Sequence, residues 1–374
     1  MTKRVISAGH ICLDITPVFD PATQGTLGKL LSPGKLIHVE AADVHIGGSV
    51  ANTGLALKKL GMDVSLVAKV GRDPFGDIIV NQLKEYGAAD GLIRDGHSTT
   101  SYSVVVAPPN VDRIFLHHPG ANNRFTGADI SNELLKGAAL LHFGYPPLMR
   151  RMYEDGGAEL ESLFRRAKAL NVATSLDLAA VDTQSEAGQI DWVALLRRIM
   201  PYVDFFVPSA EELCFMIDRP RYDEWAARAA GRAFTDILDI QRDVAPLADR
   251  VMAWGAKIVL IKCGVPGMYC RAAEANTLKR IGANAQVNAD IWSEYEKYEA
   301  SFCAAQVLSG TGAGDTSIAA FLSSVLEGCD PQRCVDRALA TGACCVEAYD
   351  ALSGLRPLDE LDRRIDSGWA RVKT

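Results

Sequence analysis

The sequence predicts an α/β fold in which βαβ units form a sheet covered by helices and a small second sheet stands off it. Three observations predict this. Short apolar runs rich in β-branched residues alternate with segments of helical period along the chain, as expected for a sheet between helix layers. The extended segments 34–46, 100–107 and 113–118 lack the intervening helices of ordinary βαβ units. The 374 residues are 48% hydrophobic and 23% charged, a globular composition that at about 150 residues per domain fits two domains or one large α/β unit.

In chain order, Arg4 to Ala8 is the first strand and Val64 to Val70 the next clear one. Between them a helix over Val50 to Leu60 stops at Gly61. Pro74 opens a helix that continues through Ile78 to Tyr86. Thr100 to Ala107 and Arg113 to His118 flank a Pro108-Pro-Asn-Val-Asp112 loop and read as a hairpin, and Gly34 to Ile46 is also extended. Strands follow at Ala138 to Phe143, Val172 to Leu176, Val203 to Val207 and Lys257 to Cys263. Helices are expected over Glu159 to Leu170, over Trp192 to Met200, and after Ser209, where Glu212 three residues on makes a capping box. A last apolar run, Ser301 to Leu308, reads as a strand. Two stretches fit poorly: the charged, helix-like 218–249 and the polar 272–298.

Composition narrows the function. The net charge of −7, with no long Lys/Arg block, speaks against a nucleic-acid or anionic-membrane partner. Nine scattered cysteines, an odd number with Cys344 and Cys345 adjacent, read as reduced thiols of a cytoplasmic protein. No metal-ligand spacing occurs among the cysteines and seven histidines. No run approaches the roughly 18 apolar residues of a membrane span.

The sharpest motif is Ser309-Gly-Thr-Gly-Ala-Gly-Asp315-Thr316, ahead of a helix with Ile318, Phe321, Leu322 and Val325 on one face. Such a turn aims backbone N–H groups into one concavity, and the helix adds its positive end, which suits a phosphate or a developing anion. A dinucleotide site fails on the third glycine spacing and on position, and a P-loop lacks its Lys. The remaining reading makes Asp315 a general base on a hydroxyl attacking a bound phosphoryl group; the bland one makes it a helix cap. The second motif, Gly47-Gly-Ser-Val-Ala-Asn52-Thr-Gly54, allows close backbone approach, and Asn52 can both donate to and accept from hydroxyls. Read blandly, it is a turn capped by Ser49. Asp14 follows the first strand, where open α/β sheets place ligands.

Together these residues resemble the two signatures of the PfkB, or ribokinase-like, carbohydrate kinases: Gly47-Gly-Ser-Val-Ala-Asn52 early and Gly-Thr-Gly-Ala-Gly-Asp315 late. Lys69-Val-Gly-Arg-Asp-Pro-Phe-Gly76, Gly120-Ala-Asn122 and Ile258 to Gly267 agree in order, so the resemblance spans about residues 4 to 350. It implies a doubly wound, mostly parallel sheet forming one kinase domain over 1–374, with lid segments near 12–46 and 98–120 and family-atypical insertions at 218–249 and 272–298. It also implies ATP- and Mg2+-dependent phosphorylation of a sugar hydroxyl. Asp315 would be the base and the Gly312, Ala313 and Gly314 amides the anion hole. Asp14, Gly47, Gly48 and Asn52 would hold the sugar; Ser209, Lys262, Gly264, Gly267 and Thr311 would lie along the nucleotide; Glu212 would meet magnesium through water. Lids in the family often double as dimer contacts, so a homodimer through the lid belongs to the expectation.

The departures are specific. Ser209 stands where the family motif has Asn, and Ser309 replaces an Asp that helps bind a monovalent cation, which speaks against potassium activation. Lys262, where Thr or Ser is frequent, reaches ATP phosphates or points to solvent. A nucleoside kinase and a non-catalytic sugar-binding sensor of the same fold are the alternatives. The candidates for substrate choice are Asp14, His45, Tyr102 and Phe115, for each of which packing within the lid is the equal alternative.

Overall fold

A computed structural model describes residues 3–20, 28, 32–109 and 114–373. Its main sheet has nine strands: β1 (Arg4–Gly9), β4 (Asp63–Gly71), β5 (Leu92–Asp95), β8 (Leu140–Gly144), β9 (Ala173–Leu176), β10 (Phe205–Phe206), β11 (Ile258–Lys262), β12 (Gly267–Ala272) and β13 (Glu296–Ala300). They lie in the order β13-β12-β11-β10-β9-β8-β1-β4-β5, parallel from β5 to β11, with β12 and β13 antiparallel at one edge.

Alternation along the strands explains the two helix layers. Val5, Leu140, Ile258 and Leu260 face one core with helices α1 (Ser49–Lys59), α2 (Pro74–Glu85), α8 (Ala313–Glu327) and α9 (Pro331–Cys345). Ile6, Leu141, Val259 and Ile261 face the other with α3 (Ala158–Ala169), α4 (Trp192–Ile199), α5 (Ala210–Ile217), α6 (Arg219–Ala229) and α7 (Ala245–Ala253). A sheet buried on both faces reads as continuous apolar runs, and these strands do.

The small sheet comprises β2 (Cys12–Thr16), β3 (Asp43–Gly47), β6 (Tyr102–Val106) and β7 (Ile114–His118), ordered β3-β2-β6-β7. The tip of the expected hairpin at 110–113 and much of 21–31 lie outside the described residues.

Two expectations fail. The run 301–308 is not a strand: its start meets 370–372 at the Phe302–Arg371 bridge, but Ala305 N turns to Glu347 Oε1 and Leu308 N to Val346 O, and Val307 is 74% exposed. Of the extended segment 34–46, only its end pairs, as β3 with β2. The atypical stretches separate in space. Within 272–298, Gly282 N donates to Asp204 Oδ2 at 3.1 Å and Asn284 Nδ2 to Ala138 O at 2.9 Å, which puts this stretch beneath the amino ends of the parallel strands. Segment 218–249 instead reaches the carboxyl ends.

Candidate active site

Open parallel sheets bind ligands beyond the carboxyl ends of their strands, where the winding direction reverses. Here it reverses at β1, flanked by β4 and β8. A cavity of about 1160 Å³ opens there, lined by His10 after β1, Tyr145 after β8, Asp177 after β9, Ser209 after β10, Lys262 ending β11, and the turn entering α8. It exceeds the roughly 300–1,000 Å³ of a single small-ligand site, leaving room for two ligands.

Asp315 sits in the first turn of α8, only 4% exposed. Asn52 Nδ2 donates to its Oδ2 at 3.0 Å, Thr53 Oγ1 to its Oδ1 at 3.1 Å, and the Tyr145 hydroxyl lies 2.8 Å from both oxygens. Burial raises the Asp315 carboxyl above its ordinary value, while Lys262 and these hydrogen bonds pull it back. The bland reading, a helix cap, is not what the side chain does: the α8 cap is Gly312, in the left-handed region, and Asp315 points to α1 and Tyr145.

The first amides of a helix lack carbonyl partners one turn back; in α8 Ala313 N makes only a long bond to Gly310 O at 3.4 Å, and the amides of Gly314 and Asp315 meet no carbonyl among the described residues. Just before them, Ser309 Oγ accepts from Thr311 N at 3.1 Å and donates to Thr311 Oγ1 at 3.0 Å, bracing the loop. The stem of Lys262 runs beside Gly314, whose absent side chain would meet it at 3.5 Å. Lys262 Nζ contacts Asp177 Oδ1 at 2.8 Å with the side chain 12% exposed, so it does not point to solvent. Burial by itself would lower the Lys262 ammonium, but the surrounding carboxylates of Asp177, Glu212 and Asp315 outweigh it, and the lysine stays cationic. Glu212 and Ser209 form the expected capping box, with Ser209 N donating to Glu212 Oε2 at 2.9 Å and Glu212 N to Ser209 Oγ at 3.2 Å.

On the other side of Asp315 stand Asp14, Gly47, Gly48 and Asn52. Cys12 Sγ donates to Asp14 Oδ1 at 3.3 Å, and burial pushes the Asp14 carboxyl up against hydrogen bonds from Cys12 and Ser103. Gly47 pairs with Cys12 across β3 and β2, and any Cβ there would fall 2.0 Å from Asp14 Oδ2. Toward β11, Gly264 has φ +68° and a Cβ would fall 2.5 Å from Thr235 Cγ2; Gly267 has φ +130° and packs on Glu299 O. Phe234, Thr235 and Leu238 of segment 218–249 line the cavity.

Apart from Gly47, which packs against Asp14 behind the wall, the residues expected of the site line one cavity; the specificity candidates divide. Asp14 and Phe115 line the cavity. His45 Nε2 instead lies 2.6 Å from Asp43 Oδ1 with the side chain half exposed, and Tyr102 packs edge-on against Phe75 at 5.5 Å. Both lie on the small sheet with side chains turned elsewhere. The sequence reading missed Tyr145, Thr53, Asp177, His10 and His117. The strand-end rule that singled out Asp14 also marks His10, Tyr145 and Asp177; nothing in the pattern marks His117.

Known proteins resemble the chain over this whole frame. The family described as pfkB family carbohydrate kinase matches residues 10–357. Fructokinase-2 of Oryza sativa subsp. japonica is 28% identical over 187 residues, 48% of this chain and 53% of that protein, so the chain spans about half the length of this curated relative. An uncharacterized sugar kinase of Archaeoglobus fulgidus is 20% identical over 302 residues, 80% of this chain and 98% of that one. Among solved structures, fructokinase with bound ATP from Xylella fastidiosa has a TM-score of 0.69 at 18% identity, covering 98% of this chain and 99% of that one. Arabidopsis thaliana ribokinase complexed with ribose and ATP gives 0.69 at 18%, covering 97% and 98%. The Methanocaldococcus jannaschii nucleoside kinase gives 0.65 at 18%, covering 98% of both chains. At such identities these structures show a shared ribokinase-like fold. With the family profile matching most of its length, the chain belongs to the pfkB family of carbohydrate kinases.

Proposed function

We propose that the protein is an ATP-dependent kinase that transfers the γ-phosphoryl group to a hydroxyl of a sugar or sugar derivative. The observation that carries this reading is the buried Asp315 at the start of α8, between the Asp14 side of the cavity and the amides of Ala313 and Gly314. Asp14, Gly47 and Gly48 hold the sugar. Gly264, Gly267, Ser209 and Thr311 border the nucleotide. The Gly312-Ala313-Gly314 turn and Lys262 face its phosphates.

In the reaction Asp315 takes the proton of the acceptor hydroxyl as the new oxygen–phosphorus bond forms; the bond between the β- and γ-phosphates breaks and ADP leaves. Asn52, Thr53 and Tyr145 orient the Asp315 carboxylate, the tyrosine hydroxyl being shared between both oxygens, so the acceptor hydroxyl approaches a carboxylate whose position is fixed. Glu212, which lines the cavity, would meet a magnesium ion through water. When bound, the metal neutralises phosphate charge. Closure of the small sheet, strands β2, β3, β6 and β7, excludes water that would otherwise accept the phosphoryl group. Nine free thiols accord with a reducing cytoplasm, and no helix among the described residues is long and apolar enough to cross a membrane. Exposed Ile114, Phe115 and Leu116 on the edge strand β7 support a homodimer through the lid.

The test is a panel of sugars and nucleosides with ATP and magnesium, read as ADP release. Turnover of a sugar that Asp315→Asn lowers by about 10²- to 10⁴-fold while both substrates still bind supports the reading. Preference for a nucleoside assigns a nucleoside kinase instead. Thermal stabilisation by sugars with no turnover points to a sensor.

A further inference from the structure

The sugar end of the cavity contains two histidines that the reading above does not use. His10, at the carboxyl end of β1, is 2% exposed, and neither of its ring nitrogens meets a partner among the described residues. His117, on β7, stacks toward it with ring centroids 5.2 Å apart, and its Nε2 is also buried without a partner. Both line the cavity beside Asp14 and Tyr145. A buried polar nitrogen left without a hydrogen bond is costly, so three of them on two residues that line one cavity call for a ligand that satisfies them.

Their chemistry restricts that ligand. Burial, reinforced by His117, holds His10 neutral, and burial, with His118 adding to it, brings His117 down to about 4. Neutral His10 therefore presents one donor and one acceptor. The Ser103 hydroxyl oxygen lies 3.0 Å from His117 Nδ1, which ties this ring to the Asp14 wall. Whichever ring nitrogen of His117 carries the proton, its buried Nε2 is matched by a hydroxyl, which can both donate and accept. Among the described lining residues the sole cation is Lys262, and it is paired with Asp177; Asp14 adds a carboxylate to the sugar wall. A phosphate or carboxylate group buried here would meet the Asp14 carboxylate and two neutral imidazoles with no free counter-charge.

We propose that His10 and His117 are substrate-binding residues that recognise hydroxyl groups, so that the acceptor is an uncharged polyol and sugar phosphates and sugar acids are excluded. This rests on the sugar-kinase reading and narrows it. Gly48 makes room for the pair: a Cβ there would fall 2.7 Å from His10 Nδ1.

The experiment has two readouts, ADP release and thermal stabilisation without ATP. The wild-type chain is offered D-ribose, D-glucose, D-fructose and myo-inositol, each beside its monophosphate, and the two aldoses also as ribonate and gluconate. Neutral compounds are expected to act in both readouts and the charged ones in neither, since a wall built to bond hydroxyls discriminates strongly. In His10→Leu and His117→Leu, KM for the preferred polyol rises about 10-fold or more, with kcat within about threefold. His117→Gln, which retains an acceptor, recovers part of the loss. Preference for a phosphate or an acid, unchanged KM in both leucine variants, or no response to any neutral polyol overturns the proposal. Stabilisation by a neutral polyol that both variants weaken, with no ADP formed, supports hydroxyl recognition while refuting the kinase reading.

Discussion

The phenolic oxygen of Tyr145 lies 2.8 Å from both carboxylate oxygens of Asp315, across 170 residues of sequence. Tyr145 reaches it from a left-handed backbone conformation, φ 65°, at the bend that follows β8. A non-glycine residue in that region carries local strain, here located at the side chain that orients the proposed base.

Removing that hydroxyl leaves the carboxylate less stabilised in its charged form. Tyr145→Phe is expected to move the acid limb of the kcat profile to higher pH and to lower kcat by roughly 10-fold, since one of three orienting hydrogen bonds is lost. A pH–rate series on both proteins checks this; an unmoved acid limb contradicts it.

Lys262 acts on the same carboxylate through charge. Burial holds Asp315 above its ordinary value and Lys262 lowers it, so Lys262→Met raises it further and the acid limb shifts upward as well. KM for ATP is expected to rise in the same variant, which separates it from Tyr145→Phe in steady-state kinetics.

Gly47 has no room for a side chain. Gly47→Ala places a methyl 2.0 Å from Asp14 Oδ2, so the carboxylate must move. The expected result is a KM for the sugar raised by about 10-fold or more with KM for ATP within about twofold, because a displaced carboxylate loses at least one charge-assisted hydrogen bond.

Asp73 joins the two sheets. Its carboxylate accepts from Gly76 N at 2.9 Å, capping α2, and from Thr100 N and Thr100 Oγ1 at 2.6 Å, just before β6. Asp73→Ala is expected to destabilise the fold by about 1–3 kcal/mol in urea titrations near neutral pH. Burial alone would raise this carboxyl, but the hydrogen bonds from Thr100 and Gly76 outweigh it and hold it below the ordinary value. A depressed carboxylate contributes above its unfolded pKa and loses that contribution as pH falls through the folded one, so the difference between variant and wild type shrinks in acid.

The sequence alone determined the βαβ alternation, the small second sheet, and the two glycine-flanked motifs that meet at the site. These are local: β-branched runs, helix periods and turn residues act within a few positions, and Gly61, Pro74 and the Ser209–Glu212 capping box end or start helices where they stand. Tertiary structure decided the rest. Lys262 could have faced water or phosphate; it pairs with Asp177 because parallel β9 and β11 flank β10 and bring both carboxyl ends together. The stretches 218–249 and 272–298 looked alike as misfits, yet one lines the cavity through Phe234, Thr235 and Leu238 and the other braces the opposite ends of the strands. His10 and His117 are 107 residues apart by number, and only the docking of β7 through β6 and β2 against the end of β1 sets their rings side by side. Such pairings depend on strand order and on burial on both faces of the sheet, which arise from contacts between distant segments and leave no periodic trace in the chain.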